Sequence, residues 1–449
     1  MKLENEKFLV VGLGKTGMGT ARFLAAKGAE VRVSDNGSRA KLREELRELE
    51  GLGIPAETGG HSRDSFAWAE TIILSPGVPF TSARVKEALD MGKIVMSEVE
   101  LASRFIRAPI IGVTGSNGKT TTATLIASIL KAHGKRVFLG GNIGTPLITI
   151  AGADEGYDYV VAELSSFQLQ AISSFAPFIG VILNVSQNHL DHHAYLNEYV
   201  ESKMRLFKFQ NEAQFAVYNA QDPVIAAWMD SVQSTRVPFG TASSLPPDTG
   251  AVLEGSAVTF MGERYDLSGI RLIGRHNLEN SMAAIVTTRL AGCPADLIER
   301  EVARFEPLEH RIEFIGEFCG ARFYNDSKST SPGATLRALE SFGGPVILIA
   351  GGKDKGVSFG ALKGEIKEKA KRVVLLGEAR ERMSRELGNL APTILADDLK
   401  DAVEKALEDT GEGDTVLFSP ACSSFDMFSS YEERGRSFKS VVKDIHHGK

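Results

Sequence analysis

Short apolar runs alternate with helical stripes along this chain, and the alternation predicts an α/β architecture. F-L-V-V at Phe8 to Val11 is continuous and apolar, so it reads as a strand buried on both faces. G-L-G-K-T-G follows at Gly12 to Gly17, then a helical pattern through Ala26 that Gly28 ends. The next strand, Val31 to Val33, finishes at Asp35. Strand, glycine loop, helix, strand is the first half of a Rossmann-type fold. Further strands are expected at Thr71 to Leu74 and Lys93 to Met96, with S-P-G-V-P as the loop after Leu74. R-A-K-L-R-E-E-L-R-E-L-E (Arg39 to Glu50) has Leu42, Leu46 and Leu49 at helical spacing and reads as a solvated helix.

A second unit starts near Ile110. Its strands are expected at Ile110 to Val113, Arg136 to Leu139, Tyr157 to Ala162 and Phe178 to Leu183. Ala242 to Ser256, rich in Ser, Pro, Gly and Thr, reads as loop or hairpin. A third unit follows Pro307, with strands at Val346 to Ile349, Val373 to Leu376 and Val416 to Phe418 and a helix at Leu399 to Leu407. The expected organisation is three α/β domains, residues 1–97, 98–306 and 307–449: Rossmann-like, P-loop ATPase-like and Rossmann-like again.

Composition narrows the class. The chain has 449 residues, 43% hydrophobic and 24% charged, an ordinary globular balance. A formal charge of −6 (51 basic against 57 acidic) gives no sign of a nucleic-acid face. Cys293, Cys319 and Cys422 form no C-x-x-C and no disulfide framework. With no signal-like start and no apolar run of ~18 residues, a cytoplasmic protein without membrane insertion is expected.

The chemistry centres on G-S-N-G-K-T-T at Gly115 to Thr121. An apolar strand precedes it and a helical pattern (Leu125, Ile126, Ile129, Leu130) follows, the order a nucleoside triphosphate requires. Gly115 and Gly118 let backbone N–H groups turn to the phosphates, Lys119 reaches the β- and γ-phosphates, and the Thr120 hydroxyl suits Mg²⁺. The first glycine of the general P-loop would fall at Val113, while Gly112 sits one place early. A plain glycine-rich turn is the alternative. Glu163 ends Y-D-Y-V-V-A-E, at the edge where an acidic residue faces phosphates and Mg²⁺. H-L-D-H-H (His189 to His193) invites a transition-metal reading, but no further ligands can be assembled, and a single His189 near Mg²⁺ is more economical. Lys203 reads as a helix-surface lysine on pattern alone. The Gly12–Gly17 motif with Asp35 fits a diphosphate-bearing ligand of unspecified kind. Three polar loops, Asp326 to Thr330, Gly351 to Gly356 and Ser419 to Phe428, each follow a strand and could converge on one anionic ligand, or be unrelated connections.

Taken together these residues resemble the Mur ligase family over essentially the whole chain, and within it the D-glutamate-adding branch. T-G-S-N-G-K-T (Thr114 to Thr120), E-L-S-S-F-Q-L at Glu163, N-x-x-x-N-H-L-D ending at Asp191, G-R-H-N at Gly274, H-R-x-E at His310 and N-D-S-K-S-T at Asn325 stand in family order. The resemblance implies a UDP-sugar site of Gly14, Lys15, Thr16, Asp35, Asn36, Ser75, Gly77 and Asn142. It implies ATP on Gly115, Ser116, Asn117, Gly118, Lys119, Thr120 and Thr121, completed by Asn277, Arg311 and Asp326. Mg²⁺ would sit on Thr120, Glu163, His189 and a carbamylated Lys203, and Lys119, Glu163, His189 and Lys203 would carry the catalysis. D-Glutamate would meet Lys328, Thr330, Lys355, Ser424 and Tyr431, the last a Phe in other members. The implied reaction joins the alanyl carboxylate of UDP-N-acetylmuramoyl-L-alanine to D-glutamate at the expense of ATP, in a monomer that uses no nucleic acid.

Other readings compete. Another Mur-type or folylpolyglutamate-type ligase would differ in the loops near Thr330 and Ser424. A nicotinamide oxidoreductase leaves the P-loop unexplained, and a nucleotide-regulated binding protein leaves Glu163 and His189 without purpose.

Overall fold

The computed structural model describes residues 2–153, 156–185, 196–245, 249–408 and 410–447. Its first sheet contains β1 (Lys7–Val11), β2 (Glu30–Asp35), β3 (Ala56–Thr58), β4 (Thr71–Leu74) and β5 (Ile94–Ser97). All are parallel, in the order β3-β2-β1-β4-β5. The order reverses between β1 and β4, and in open parallel sheets ligands bind at such a switch point, outside the carboxyl ends of the strands. Gly17 explains why the glycine motif needs its third member: a Cβ there would lie 1.8 Å from the Gly12 carbonyl oxygen.

The second sheet has nine strands. They are β6 (Ile110–Thr114), β7 (Val137–Gly141), β8 (Tyr159–Glu163), β9 (Ile179–Ile182), β10 (Phe215–Asn219), β11 (Thr235–Thr241), β12 (Ala251–Glu254), β13 (Ala257–Phe260) and β14 (Glu263–Asp266). The order is β14-β13-β12-β11-β10-β9-β6-β8-β7. Six strands from β6 to β11 and β12 beside them are parallel, and β12 to β14 close that end as an antiparallel meander. The loop-or-hairpin segment is therefore part of this meander, while β10 and β11 were not read from sequence. β6, the strand that enters the P-loop, lies between β8 and β9 with every residue buried.

The third sheet holds β15 (Glu313–Phe318), β16 (Ala321–Asn325), β17 (Val346–Gly351), β18 (Ala370–Leu376), β19 (Thr393–Leu395) and β20 (Thr415–Phe418), in the order β15-β16-β20-β17-β18-β19. Only the β15–β16 hairpin is antiparallel. The first two sheets fall in one compact unit and the third sheet in another. The charged helix spans Arg43–Gly51 and buries Leu49, so its third leucine is core and not a solvated position.

Glu98 joins the first two sheets. It opens the helix Glu98–Ser103, directly after β5, and its Oε1 accepts the Ile148 N–H at 2.6 Å, at the start of the 3-10 turn Leu147–Ile150 that follows β7. The side chain is fully enclosed and Oε2 has no partner. Burial pushes its carboxyl up to about 7, against the opposing pull of the Ile148 and Leu147 N–H groups. The folded state thus holds a proton that the unfolded chain releases near its ordinary carboxylate value, and stability falls as pH rises between those two values. At ~1.4 kcal/mol per unit the ceiling is roughly 3 kcal/mol. Glu98→Gln keeps the acceptor and removes the titration. Its urea-unfolding stability relative to the parent is expected to improve between about pH 5 and pH 8. A difference that stays flat over that range refutes the assignment.

Candidate active site

The glycine loop sits between β6 and the helix Lys119–Ala132. Gly115 and Gly118 have φ of 151° and 85°, conformations that an L side chain resists. Gly118 also lacks room: a Cβ would lie 2.2 Å from Asn280 Oδ1. Lys119 Nζ donates to the carbonyls of Gly115 and Ser116 at 2.9 and 3.0 Å. The Thr120 hydroxyl donates to Glu163 Oε2 at 2.7 Å, and Asn142 Nδ2 donates to Glu163 Oε1 at 3.0 Å. Two oxygen ligands suited to a hard cation therefore meet at the carboxyl ends of β6 and β8. Asn142, expected at the UDP-sugar site, contacts the Glu163 end of this group. Gly141 allows that approach, since a Cβ there would stand 2.4 Å from the Glu163 carbonyl oxygen.

Lys203 corrects the reading from pattern. It is a buried residue of the helix Leu196–Met204, not a surface lysine. Its Nζ donates to the Gly115 carbonyl at 2.9 Å and lies 4.5 Å from the centre of the Tyr199 ring, one helical turn earlier. Burial drives its pKa well below the lysine value, the Lys119 charge adds to that, and Glu163 opposes it. A charged ammonium is therefore costly here. Tyr199 is equally enclosed, its hydroxyl 3.0 Å from Ser116 Oγ, and burial raises it to about 12. Asn184, just past β9, receives the Asn117 N–H on its side chain at 2.9 Å and the Ser116 N–H on its carbonyl at 2.9 Å. Tyr199 and Asn280 were missed because neither belongs to a motif, and Asn184, which opens N-x-x-x-N-H-L-D, was given no role; only their position against the glycine loop reveals one. His189 and the rest of H-L-D-H-H lie outside the described residues.

At the first sheet, Gly14, Lys15, Asn36 and Gly77 are exposed and Thr16, Asp35 and Ser75 half-buried, all at or beyond the carboxyl ends of β1, β2 and β4. Asp35 accepts the Leu13 and Gly37 N–H groups, both at 2.6 Å, and Ser75 Oγ donates to the Gly12 carbonyl at 2.9 Å. Asp35 thus shapes the glycine loop itself.

In the other compact unit the three polar loops converge. Ser419 Oγ donates to Asp326 Oδ2 at 2.7 Å, and the Lys353 N–H donates to the Ser423 carbonyl at 2.9 Å. Burial raises Asp326 to about 6, while bonds from Ser329, Ser419 and Ile312 and the Arg311 charge pull the other way. Lys328 Nζ stands 3.7 Å from the Tyr431 ring centre, a cation–π seat. Thr330 is half-buried, Lys355 exposed and Ser424 buried. Asn277, in the same unit, donates its side chain to the Ile273 carbonyl at 2.7 Å. Nearby, Glu309, His310 and Glu313 have the spacing of a metal cluster, but Lys439 Nζ already bridges the two carboxylates and Asn325 Nδ2 occupies His310 Nδ1 at 2.9 Å.

A P-loop sheet preceded and followed along the chain by Rossmann-like sheets defines a three-domain nucleotide-using enzyme, and comparison with known proteins specifies which. Residues 6–97 match the model for the Mur ligase MurD-like N-terminal domain, 113–288 the Mur ligase middle domain, and 310–422 the Mur ligase glutamate ligase domain. The chain belongs to the Mur ligase family. It is 45% identical to the UDP-N-acetylmuramoylalanine–D-glutamate ligase of Geotalea uraniireducens (strain Rf4), covering 100% of this chain and 99% of the relative. It is 44% identical to the enzyme of that name from Geobacter metallireducens, over 99% of each. Among solved structures, a pseudomurein peptide ligase type C from Methanothermus fervidus shares the fold at TM-score 0.64 and 19% identity, covering 98% of this chain and 100% of that one. The MurF ligase of Thermotoga maritima in complex with ADP does so at 0.62 and 20%, covering 99% and 100%.

Gly118→Ala combines backbone strain with the Asn280 collision. Strain of about 1–3 kcal/mol at such a position predicts nucleotide binding weakened by roughly ten-fold or more. Titration with a fluorescent ATP analogue, with far-ultraviolet circular dichroism as the control for folding, checks this. Parental affinity in the folded variant contradicts the placement of the phosphates.

Proposed function

We propose that this chain adds D-glutamate to UDP-N-acetylmuramoyl-L-alanine with ATP, in peptidoglycan precursor synthesis. The observation that carries the reading is full-length similarity to ligases of that name, on a chain whose Thr120 hydroxyl meets Glu163 and whose Lys119 ammonium lies on the glycine loop.

A carboxylate is a poor electrophile, because oxide is a poor leaving group. Transfer of the γ-phosphoryl group from ATP to the alanyl carboxylate gives an acyl phosphate and ADP. The amine of D-glutamate, once deprotonated, attacks the acyl carbon; the tetrahedral intermediate expels phosphate and leaves the amide. The protein supplies no nucleophile. Its work is to bring two anions together and to stabilise charge as it develops. Lys119 turns from the loop carbonyls to the phosphates, and the helix N-terminus adds its dipole. The Thr120 hydroxyl and Glu163 carboxylate suit Mg²⁺, which when bound offsets the repulsion between triphosphate and carboxylate. In this reading His189 is a further ligand, and Asn277, Arg311 and Asp326 complete the nucleotide site.

Lys203 fits the same scheme as a carbamate. The free amine is nucleophilic towards CO₂: its nitrogen bonds the carbon, one C=O electron pair moves onto oxygen, an N–H proton leaves to solvent, and a neutral amine becomes an anion beside Lys119. The UDP-sugar is assigned to the crevice at Gly14, Lys15, Thr16, Asp35, Asn36, Ser75 and Gly77, with Asn142 reaching it from the Glu163 side. The amino acid is assigned to Lys328, Thr330, Lys355, Ser424 and Tyr431. A cytoplasmic monomer remains the expected form; among the described residues no helix is long and apolar enough to cross a membrane.

Phosphate release with ATP, Mg²⁺ and UDP-N-acetylmuramoyl-L-alanine, compared across D-glutamate, L-glutamate, L-lysine and meso-diaminopimelate, tests the reading. Release with D-glutamate alone and a product heavier by one glutamyl residue are expected. Release with another amino acid keeps a ligase and removes the pocket assignment. Lys119→Ala is expected to lose at least ~10²-fold in turnover while folding normally. Native mass spectrometry in bicarbonate buffer is expected to find one added CO₂ that Lys203→Ala lacks; an unmodified parent excludes the carbamate.

A further inference from the structure

Arg434 has a place in the fold that the motifs did not indicate. It lies on the terminal helix Tyr431–His447 and is among the largest enclosed side chains, 1% exposed. Its Nε donates to Ser327 Oγ at 3.0 Å and its Nη2 to the Ser327 carbonyl at 2.8 Å. Its Nη1 donates to the Cys422 carbonyl at 3.0 Å. The third loop closes on the same group: a Cβ on Gly352 would stand 3.1 Å from Nη1 and 2.5 Å from the Ser423 carbonyl oxygen, so only glycine leaves the space. Ser327 Oγ in turn donates to the Tyr431 carbonyl at 2.8 Å, tying the loop to the first turn of the helix.

Only a guanidinium does this. Its planar fork sends donors in three fixed directions, whereas an ammonium is a point charge. Buried carbonyls left without donors would each be penalised. Among the described residues Arg434 has no carboxylate within ion-pair distance; its charge is dispersed over carbonyls, and Asp426 and Asp326 offset it in part through space.

We propose that Arg434 is the positioning residue of the amino-acid pocket: through its bonds to Ser327 and Cys422 it fixes the loops 326–330, 351–356 and 419–428 in one arrangement. This rests on the assignment of D-glutamate to those loops. Arg434 acts through the loops and does not itself touch the ligand.

The test uses the full chain with Arg434→Lys, which keeps the charge and loses the fork, and Ser327→Ala, which removes one hydroxyl. In Arg434→Lys the KM for D-glutamate is expected to rise about ten-fold or more, with the KM values for ATP and the UDP-sugar within about two-fold of the parent. Hydrogen exchange is expected to quicken in all three loops together. Ser327→Ala should shift the same KM in the same direction by a smaller factor. An unchanged KM for D-glutamate in folded Arg434→Lys overturns the proposal, as does an equal rise in all three KM values. If Arg434→Lys does not fold, an unchanged KM in Ser327→Ala overturns it. If the parent does not use D-glutamate, the functional reading fails first, and parental exchange rates in the three loops of Arg434→Lys then overturn the positioning role separately.

Discussion

A loop that binds triphosphate through its backbone must keep its own carbonyls occupied, and the central sheet is organised around that constraint. The Gly115 carbonyl takes donors from both Lys119 and Lys203, and the Ser116 carbonyl takes Lys119. Asn184 fixes the loop from the β9 side and Tyr199 from the helix Leu196–Met204. These partners come from three places, the helix Lys119–Ala132, the helix Leu196–Met204 and the segment after β9, so the loop is over-determined and its positive-φ glycines can be sustained. Removing any one contact leaves the others, but the shape that receives phosphate belongs to the set.

The same economy governs the other two sheets. Many of the polar groups singled out stand at or just beyond the carboxyl end of a parallel strand, where loops from adjacent strands are brought side by side. In the first sheet this places Gly12 to Gly14 beside Ser75, a contact made directly through the Ser75 hydroxyl. In the third it places Asp326, at the end of β16, beside Ser419, at the end of β20. Polar side chains meet there because register, not sequence proximity, brings them together.

Much of this was legible from the chain. Buried parallel strands announce themselves as continuous apolar runs, and F-L-V-V, T-I-I-L and the helix at Leu399 to Leu407 were read within a residue or so of where they fall. Phe215–Asn219 and Thr235–Thr241 were not read, since tyrosine, asparagine, proline and glycine interrupt their apolar character and only the neighbouring strands make them strands. At the site, glycines and lysine of the P-loop carry their own signature because their roles depend on local backbone geometry. Lys203 carries none. Its sequence neighbours are those of an exposed helix, and what distinguishes it is the loop nearly ninety positions earlier on which its amine lands. Arg434 was silent for the same reason.

The antiparallel meander at the end of the central sheet has a consequence for the protein in a crowded solution. A parallel sheet that stopped at β11 would offer a row of unsatisfied amides and carbonyls, a template on which a second chain could add itself. The meander moves that rim outward to β14, a four-residue strand reading E-R-Y-D, with Tyr265 buried and its charged neighbours exposed. Glu299 then takes up the Asp266 amide at 2.7 Å. The rim is short, bears alternating charges and has lost a donor, so the largest sheet of the molecule ends in a border that discourages propagation into fibres.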